Sequence, residues 1–148
     1  MSYFGVGMYM PKTSENIGTL WRSAKNFGAS FMFTVGTRSF LKNAADTEQS
    51  WKDIPFYVYP TWEDVSIPTD CFLVGIEQCE LSVELVTFEH PKRACYILGA
   101  EDGGLPKKIW SYCTGGIIQI PTPNCINVAV AGSIVLYDRV SKQAANKV

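Results

Sequence analysis

The chain has 148 residues, of which 47% are hydrophobic and 18% charged, and its formal net charge at pH 7 is −1. This length fits one domain that buries about two thirds of its unfolded surface, and the composition excludes a disordered chain. No apolar run approaches the roughly 20 residues of a membrane helix, and the start lacks a basic segment before an apolar core, so we expect a cytoplasmic protein with no membrane segment.

Charge is unevenly distributed along the chain. Residues 1–53 carry six basic and four acidic side chains, residues 54–105 carry two and nine, and residues 106–148 carry five and one. If the two basic ends meet in the fold, they form a modest positive face. A solvated surface without function explains the same counts equally well.

The five cysteines are odd in number and form neither a C-x-x-C pair nor metal-ligand spacing with the single histidine. We therefore expect reduced thiols, mostly in the core, and no metal site. His90 precedes Pro91 in a polar stretch, which favours a surface loop residue over a catalytic one.

Short β-branched and aromatic runs alternate with helical patterns, which indicates an α/β fold with a parallel sheet and crossover helices. The predicted strands are Phe4–Tyr9, Phe31–Val35, Phe56–Tyr59, Cys71–Ile76, Ala94–Leu98 and Gly116–Ile120. The first helix, Ser14–Phe27, has apolar residues at helical spacing, with Thr13 or Ser14 as N-cap and Gly28 as stop. Shorter helices are predicted over Asn43–Trp51, Trp62–Val65 and Pro106–Tyr112. With no internal repeat and no linker, residues 1–148 form a single predicted domain.

The last apolar segment, Asn127–Arg139, is apolar almost all round until Tyr137. Its length and small residues favour a helix buried on more than one side. In a domain this small, we expect that helix to pack against a second subunit, with Ala129, Gly132 and Ser133 permitting close backbone approach.

A glycine-rich turn between a strand and a helix, residues 98–106, is the most informative stretch for ligand binding. Its three glycines let the backbone approach a bound molecule, and the amides at the helix start lack intrahelical partners. Phosphate would be repelled by Glu101 and Asp102, so a ligand with hydroxyl, amine or cationic groups suits the turn better.

Asn16, Gly18 and Arg22 lie at the start of the first predicted helix. Gly18 and Arg22 are four residues apart and share a face, which leaves the guanidinium space to reach across. A helical glycine costs up to about 1 kcal/mol relative to alanine, and we attribute it to close approach of another backbone or a substrate. The alternative is a first-turn glycine beside an exposed arginine.

A third segment, residues 118–128, runs from a strand through a proline-stiffened loop to Asn127 at the start of the last helix. The Asn127 side chain is placed either to cap that helix or to bind a ligand, and capping alone is the simpler role.

Together, the three segments resemble the SpoU-type family of RNA ribose 2′-O-methyltransferases of the SPOUT superfamily. The resemblance lies in N-x-G-x-x-x-R at 16–22, L-G-x-E-x-x-G-L at 98–105, and I-x-I-P at 118–121 followed by Asn127-Val128. Each motif alone is weak, but three in this order and spacing, covering residues 16–136, are specific.

The resemblance implies a parallel-sheet α/β fold with a deep C-terminal trefoil knot, a minimal SPOUT domain, a homodimer, RNA as partner, and S-adenosylmethionine as cofactor bound in the knot. The implied cofactor-binding residues are Val74, Gly75, Ile76, Glu77, Leu98, Gly99, Ala100, Glu101, Gly103, Ile118, Ile120, Pro121, Cys125, Ile126, Asn127 and Val128. The acids of the turn suit a sulfonium with ribose hydroxyls, and the apolar flanks suit an adenine ring; those flanks are Leu98, Ile118, Ile120 and Ile126.

By the same resemblance, Arg22 has the central catalytic role, with Asn16, Glu101 and Asn127 beside it. Because a guanidinium holds its proton tightly, we expect Arg22 to grip a phosphate and fix the target ribose while another group takes the proton. Asn16 would orient the nucleotide or Arg22, and Glu101 would brace the site through hydrogen bonds.

Two departures from the family pattern bear on function. Cys125 stands where the family commonly has serine, and the loop from Pro121 to Asn127 is a few residues shorter than usual. A minimal domain resembles the tRNA-modifying members more than the rRNA-modifying ones. An rRNA ribose methyltransferase and a catalytically inactive RNA-binding member remain the alternatives, while a doubly wound nucleotide-binding domain is weaker because G-x-G-x-x-G is missing.

Overall fold

The computed structural model describes residues 2–36 and 52–147. Its strands are β1 (Tyr3–Tyr9), β2 (Phe31–Val35), β3 (Phe56–Tyr59), β4 (Phe72–Ile76), β5 (Val83–Glu84), β6 (Arg93–Leu98) and β7 (Ile117–Gln119). Its helices are α1 (Ser14–Asn26), α2 (Lys107–Trp110) and α3 (Val128–Ala145), and single 3₁₀ turns occur at Trp62–Asp64 and Leu85–Thr87. The strands form one sheet in the order β3-β2-β1-β6-β4-β7-β5, with parallel pairing throughout.

The predicted α/β fold with a parallel sheet is confirmed, and all six predicted strands occur within one residue of their predicted bounds. Strand β5 was missed because its two residues, Val83 and Glu84, are too few for an alternating pattern. The predicted helix at Trp62–Val65 is only a 3₁₀ turn, and α3 continues past Arg139 to Ala145. The predicted helix Asn43–Trp51 lies outside the described residues.

Helix α1 begins at the predicted residue, Ser14, and ends one residue before the predicted end. Of the two candidate N-caps, Thr13 takes the role, since its Oγ1 accepts a hydrogen bond from the Asn16 amide at 3.4 Å. The helix ends at Asn26, before Gly28 with φ +83°. Its buried residues are Ile17, Gly18, Leu20, Trp21 and Ala24. Gly18 therefore belongs to a packed face and not to an exposed first turn.

Helices α1 and α3 pack against each other on one face of the sheet. A Cβ on Gly132 would lie 2.6 Å from Cδ1 of Leu20, and Ser133 Oγ donates to Ser23 Oγ at 2.7 Å. Ala129 is completely buried. The small residues of α3 therefore allow close approach to α1 of the same chain, and the expectation that they serve a subunit contact is wrong. The outer face of α3 exposes Val130, Ile134 and Tyr137.

The segment that precedes β6 is held against α3 by cationic side chains. Lys142 Nζ donates to the carbonyls of Leu85 and Phe88 at 2.6 and 3.0 Å. The fully buried Arg139 donates to the carbonyls of Pro91 and Lys92 at 2.7 and 2.8 Å. Residues 85–92 thus lie over α3, which satisfies four carbonyl oxygens of an irregular segment.

This packing buries the single histidine. The His90 side chain is only 1% exposed; its Nδ1 lies 2.6 Å from the Tyr96 hydroxyl and its Nε2 lies 2.8 Å from Asp138 Oδ2. The prediction of a surface loop residue is wrong, because the loop folds back over α3 and carries the ring inward. Burial raises the pKa of Tyr96 to about 12, so its hydroxyl stays protonated and donates to Nδ1.

None of the helices within the described ranges is long and apolar enough to cross a membrane.

Candidate active site

A cavity of about 560 Å³ lies at the carboxyl ends of β4, β6 and β7. Its walls are the loops that follow these three strands, together with the first turn of α3 and Trp110 of α2. The carboxyl ends of adjacent parallel strands are where open α/β sheets bind ligands. The cavity therefore lies where the fold itself favours a binding site.

The glycine-rich turn forms one wall and closes on itself. Ala100 and Gly104 exchange two backbone hydrogen bonds, of 3.1 and 2.9 Å. A Cβ on Gly99 would lie 2.1 Å from the carbonyl carbon of Gly104, and Gly104 itself has φ +66°. The two glycines are therefore required by the closure of the turn itself.

The amides of this turn are less available than the sequence suggested. Those of Ala100 and Gly104 bond each other's carbonyls, and the Leu105 amide donates to Glu77 Oε2 at 2.5 Å. Helix α2 begins only at Lys107 and has four residues. The expectation of free amides at a helix start is wrong for these three positions, because the protein itself supplies their acceptors.

Glu77 and its neighbour Gln78 link the three loops of the cavity. Glu77 Oε1 accepts the Gln78 amide at 2.9 Å while Oε2 holds the Leu105 amide of the glycine-rich turn. The Gln78 side chain donates to the carbonyl of Ile120 at 2.8 Å and to Thr122 Oγ1 at 3.3 Å, both in the loop after β7. No motif reveals these links, because they join single residues of separate loops.

Three of the predicted catalytic residues form one hydrogen-bonded chain. Asn16 Nδ2 donates to Glu101 Oε1 at 2.9 Å, and Asn127 Nδ2 donates to Asn16 Oδ1 at 2.9 Å. Because a carboxylate only accepts, the orientation of both amides is fixed by Glu101. Asn127 Oδ1 meanwhile accepts the amides of Ala129 and Val130 at 2.9 and 3.1 Å. Asn127 thus caps α3 and joins the site at the same time.

Glu101 is held as a carboxylate. Burial by itself raises its pKa, but hydrogen bonds from Asn16 and from backbone amides, including those of Lys12 and Thr13, outweigh burial and leave the pKa below its ordinary value. At neutral pH, Glu101 is therefore a fixed acceptor that braces the site and does not act as a proton donor.

Arg22 lies on α1, six residues after Asn16. Its side chain is half-buried and stands outside the lining of the cavity. Arg22 is therefore not one of the residues of the cavity wall, whereas Asn16 contacts that wall through its hydrogen bond to Glu101.

Most of the predicted cofactor-binding residues line the cavity, namely Ile76, Glu77, Leu98, Gly99, Ala100, Glu101, Gly103, Ile120, Cys125, Ile126 and Val128. Val74, Gly75 and Ile118 are instead buried in the core beneath it, since they lie inside strands where both faces of the sheet are covered. Pro121 and Asn127 are exposed beside the cavity and outside its lining.

Further residues that the sequence did not assign to the cofactor complete the lining, namely Gln78, Cys79, Glu80, Asp102, Gly104, Leu105, Trp110, Gln119, Thr122 and Ala131. Trp110 is fixed by a hydrogen bond from its Nε1 to the Leu105 carbonyl at 2.9 Å. Cys79 and Cys125 face the cavity, against the expectation that most cysteines lie in the core, which holds for Cys71 and Cys95.

The charge of the cavity is one-sided. Among its described lining residues, four are acidic, Glu77, Glu80, Glu101 and Asp102, and none is a lysine or an arginine. This lining attracts a cation and repels phosphate. In the part of the chain that the structure describes, no group of three or more His, Cys, Asp or Glu side chains is arranged to hold a metal ion.

This domain is an α/β domain with an all-parallel sheet and a ligand cavity at the carboxyl ends of its strands. Asn127, Asn16 and Glu101, one from each sequence motif, are hydrogen-bonded to one another beside that cavity. Residues 4–137 match the model of the SpoU rRNA Methylase family, and the chain belongs to this family. The search of curated proteins finds no match.

Solved structures share the fold over nearly the whole chain. An AdoMet-bound rRNA methyltransferase from Sinorhizobium meliloti matches with TM-score 0.84 and 24% identity, over 96% of this chain and 57% of that one. The SpoU methyltransferase AviRb from Streptomyces viridochromogenes, in complex with AdoMet, matches with TM-score 0.86 and 22% identity, over 97% and 59%. A structure described as giving insights into the 2-OH methylation of C/U34 on tRNA matches with TM-score 0.83 and 16% identity, over 97% and 98%. The chain thus spans less than two thirds of the first two proteins.

Proposed function

We propose that this chain transfers the methyl group of S-adenosylmethionine to the 2′-hydroxyl of a ribose in RNA, with tRNA as the substrate. The observation that carries the proposal is the Asn127–Asn16–Glu101 chain of hydrogen bonds, which joins all three family motifs at the wall of an acidic cavity. If these residues served folding alone, they would not need to lie beside an open cavity.

The cavity fits S-adenosylmethionine in size and chemistry. Its volume of about 560 Å³ lies within the range of small-molecule sites. Leu98, Ile120 and Ile126 supply apolar surface for an adenine ring, while the four acids favour a ligand with a positive sulfonium and an ammonium group. When bound, S-adenosylmethionine supplies a methyl group on a good leaving group.

Methyl transfer then requires the ribose oxygen to be held in line with the methyl carbon and to lose its proton. The fixed Glu101 carboxylate orients Asn16, and Asn127 sets the position of α3 relative to α1. In this proposal Arg22, which lies on α1 outside the cavity lining, grips a phosphate of the RNA. Because a guanidinium does not deprotonate in proteins, Arg22 is not the base, and another group accepts the proton of the ribose hydroxyl.

The tRNA assignment follows the structure described as giving insights into the 2-OH methylation of C/U34 on tRNA, which matches 97% of this chain with TM-score 0.83. The surface charge supports an RNA partner. Basic residues from both ends of the chain also meet at the glycine-rich turn. The Lys12 amide bonds Glu101, and the exposed Lys107 and Lys108 follow the turn directly. Exposed lysines beside an acidic cavity suit an RNA backbone outside and a cationic cofactor within.

We also propose a homodimer, a C-terminal knot and a cytoplasmic location, where the tRNA resides. The exposed Val130, Ile134 and Tyr137 on the outer face of α3 support the dimer. The knot is supported by the path of the chain after β7. From β7, which pairs with β4, the chain continues into α3, and α3 lies beneath residues 85–92.

The experiment that tests this function combines titration calorimetry with S-adenosylmethionine and mass spectrometry of nucleosides from tRNA and rRNA incubated with protein and cofactor. We expect cofactor binding and a 2′-O-methylated nucleoside in tRNA. A product only in rRNA overturns the substrate assignment. Binding without any product makes the chain an inactive RNA-binding member, and no binding at millimolar cofactor overturns the enzyme proposal.

A further inference from the structure

We infer that Glu77 recognises the vicinal ribose hydroxyls of the adenosine half of the cofactor. The inference rests on the proposed function and assigns a role to a residue that the three motifs do not contain. The carboxylate of Glu77 is a fixed pair of acceptors on the wall of the cavity, at the end of β4.

The geometry leaves this carboxylate with unused capacity. Oε1 accepts only the Gln78 amide and Oε2 only the Leu105 amide among the hydrogen bonds of its side chain in the described residues. A carboxylate has about four acceptor sites, so about two remain. Because the two amides belong to different loops, the carboxylate is held in one orientation before any ligand arrives, which lowers the entropy cost of binding.

The other acids of the cavity are less suited to this role. Glu101 differs from Glu77 because it accepts hydrogen bonds from the Asn16 side chain and from the backbone amides of Lys12, Thr13 and Glu101 itself, which fill its about four acceptor sites at the α1 side of the cavity. Glu80 and Asp102 are exposed. Glu77 is half-buried, so its hydrogen bonds compete less with water and discriminate more strongly.

The surroundings of Glu77 suit the adenosine half of the ligand. Its own amide donates to the Ile118 carbonyl at 3.0 Å, which places the residue where β4 and β7 end. Ile76, Leu105 and Ile120 supply the apolar lining nearby. A carboxylate at the end of a strand that accepts hydrogen bonds from ribose hydroxyls is the arrangement that dinucleotide-binding folds use. A bidentate contact of this kind favours two adjacent hydroxyls over a single ammonium.

The test compares 5′-methylthioadenosine, which keeps the ribose diol and lacks the amino acid, with its 2′,3′-dideoxy analogue. By calorimetry, the unmodified protein is expected to bind the diol compound about 10- to 100-fold more tightly, as for hydrogen bonds to a charged group. Glu77→Gln should reduce that ratio to about threefold or less. Glu84→Gln, an exposed acid on β5 outside the cavity, should leave the ratio unchanged.

Three outcomes would overturn the inference. The first is equal binding of the two compounds by the unmodified protein, which decides the matter even if Glu77→Gln fails to fold. The second is an unchanged ratio in a folded Glu77→Gln protein, which would make Glu77 a purely structural link. The third is a Glu77→Gln protein that no longer binds S-adenosylmethionine but keeps the same ratio of affinities for the two adenosine compounds. That result would assign Glu77 to the ammonium group of S-adenosylmethionine. Failure of the proposed function is separate, since it shows as no S-adenosylmethionine binding by the unmodified protein.

Discussion

Asn16 and Glu101 are 85 positions apart in the sequence and are joined by a 2.9 Å hydrogen bond from an amide to a carboxylate. The bond connects the first turn of α1 to the glycine-rich turn after β6, two elements that only the folded sheet brings together. Because Glu101 can only accept, the bond also decides which atom Asn16 offers to Asn127. One carboxylate therefore sets the orientation of the other two residues.

Asn16→Asp is expected to break this chain. It places a second carboxylate against Glu101 and removes the donor, which should lower the free energy of unfolding by about 1–3 kcal/mol at pH 7. Urea denaturation measures the change. The deficit should shrink as the pH falls, because protonation of either carboxylate restores a donor. Glu15→Gln, at an exposed neighbouring position of α1, is the control and should unfold like the unmodified protein. Equal stability of Asn16→Asp at pH 7 would contradict the assignment of the donor.

Gly99→Ala should open the glycine-rich turn. The added Cβ would lie 2.1 Å from a backbone carbon of Gly104, and backbone cannot give way as a side chain can. We expect a loss of about 1–3 kcal/mol of stability, as for overpacked sites, together with weaker ligand binding. Gly103→Ala is the matched control, since a Cβ there meets nothing within 4 Å. Thermal denaturation of both variants measures the difference, and similar melting temperatures would show that the turn is not constrained.

His90 should make stability depend on pH. Burial lowers its pKa by more than the hydrogen bond from its ring to Asp138 raises it, so the folded state binds the proton less readily than the unfolded chain. Stability is therefore complete above the unfolded pKa of 6.5 and is lost progressively as the pH falls below that value. Arg139 and Lys142, which also face the ring, oppose its protonation.

The measurement is the free energy of unfolding between pH 7.5 and 5 for the unmodified protein and for His90→Gln, which cannot titrate in this range. We expect the two curves to converge as the pH falls. Parallel curves would mean that the ring takes up its proton equally in the folded and unfolded states.

Much of the fold follows from local patterns, and the departures come from contacts between distant segments. The strands are apolar runs with clear ends, and Thr13 and Asn127 cap their helices as their residue types predict. His90 was misplaced because nothing in its own neighbourhood shows that Tyr96 and Asp138 close around it. Gly132 was assigned to a subunit contact because the sequence cannot show that Leu20 lies against it.

The candidate site divides in the same way. Asn16, Glu101 and Asn127 were found because they belong to motifs, and the fold brings them together. Glu77 and Gln78 link three loops through single hydrogen bonds to backbone atoms, which leave no periodic or spaced signal in the sequence. The resemblance to the family assigns whole segments to the cofactor site, and these segments include Val74 and Ile118. Both residues are completely buried.

Arg22→Ala should abolish methyl transfer and leave cofactor affinity nearly unchanged, because Arg22 stands outside the cavity lining. In the proposed function Arg22 positions the RNA, so its loss should lower transfer by about 100-fold or more. Single-turnover methylation and calorimetry with S-adenosylmethionine separate the two effects. Lys25→Ala is the control, since it removes a cation from the same helix. Lys25 forms a surface ion pair with Asp53, at 3.0 Å. Its loss should cost at most about 1 kcal/mol of stability and preserve methyl transfer. Loss of both cofactor binding and transfer in Arg22→Ala would instead give Arg22 a structural role.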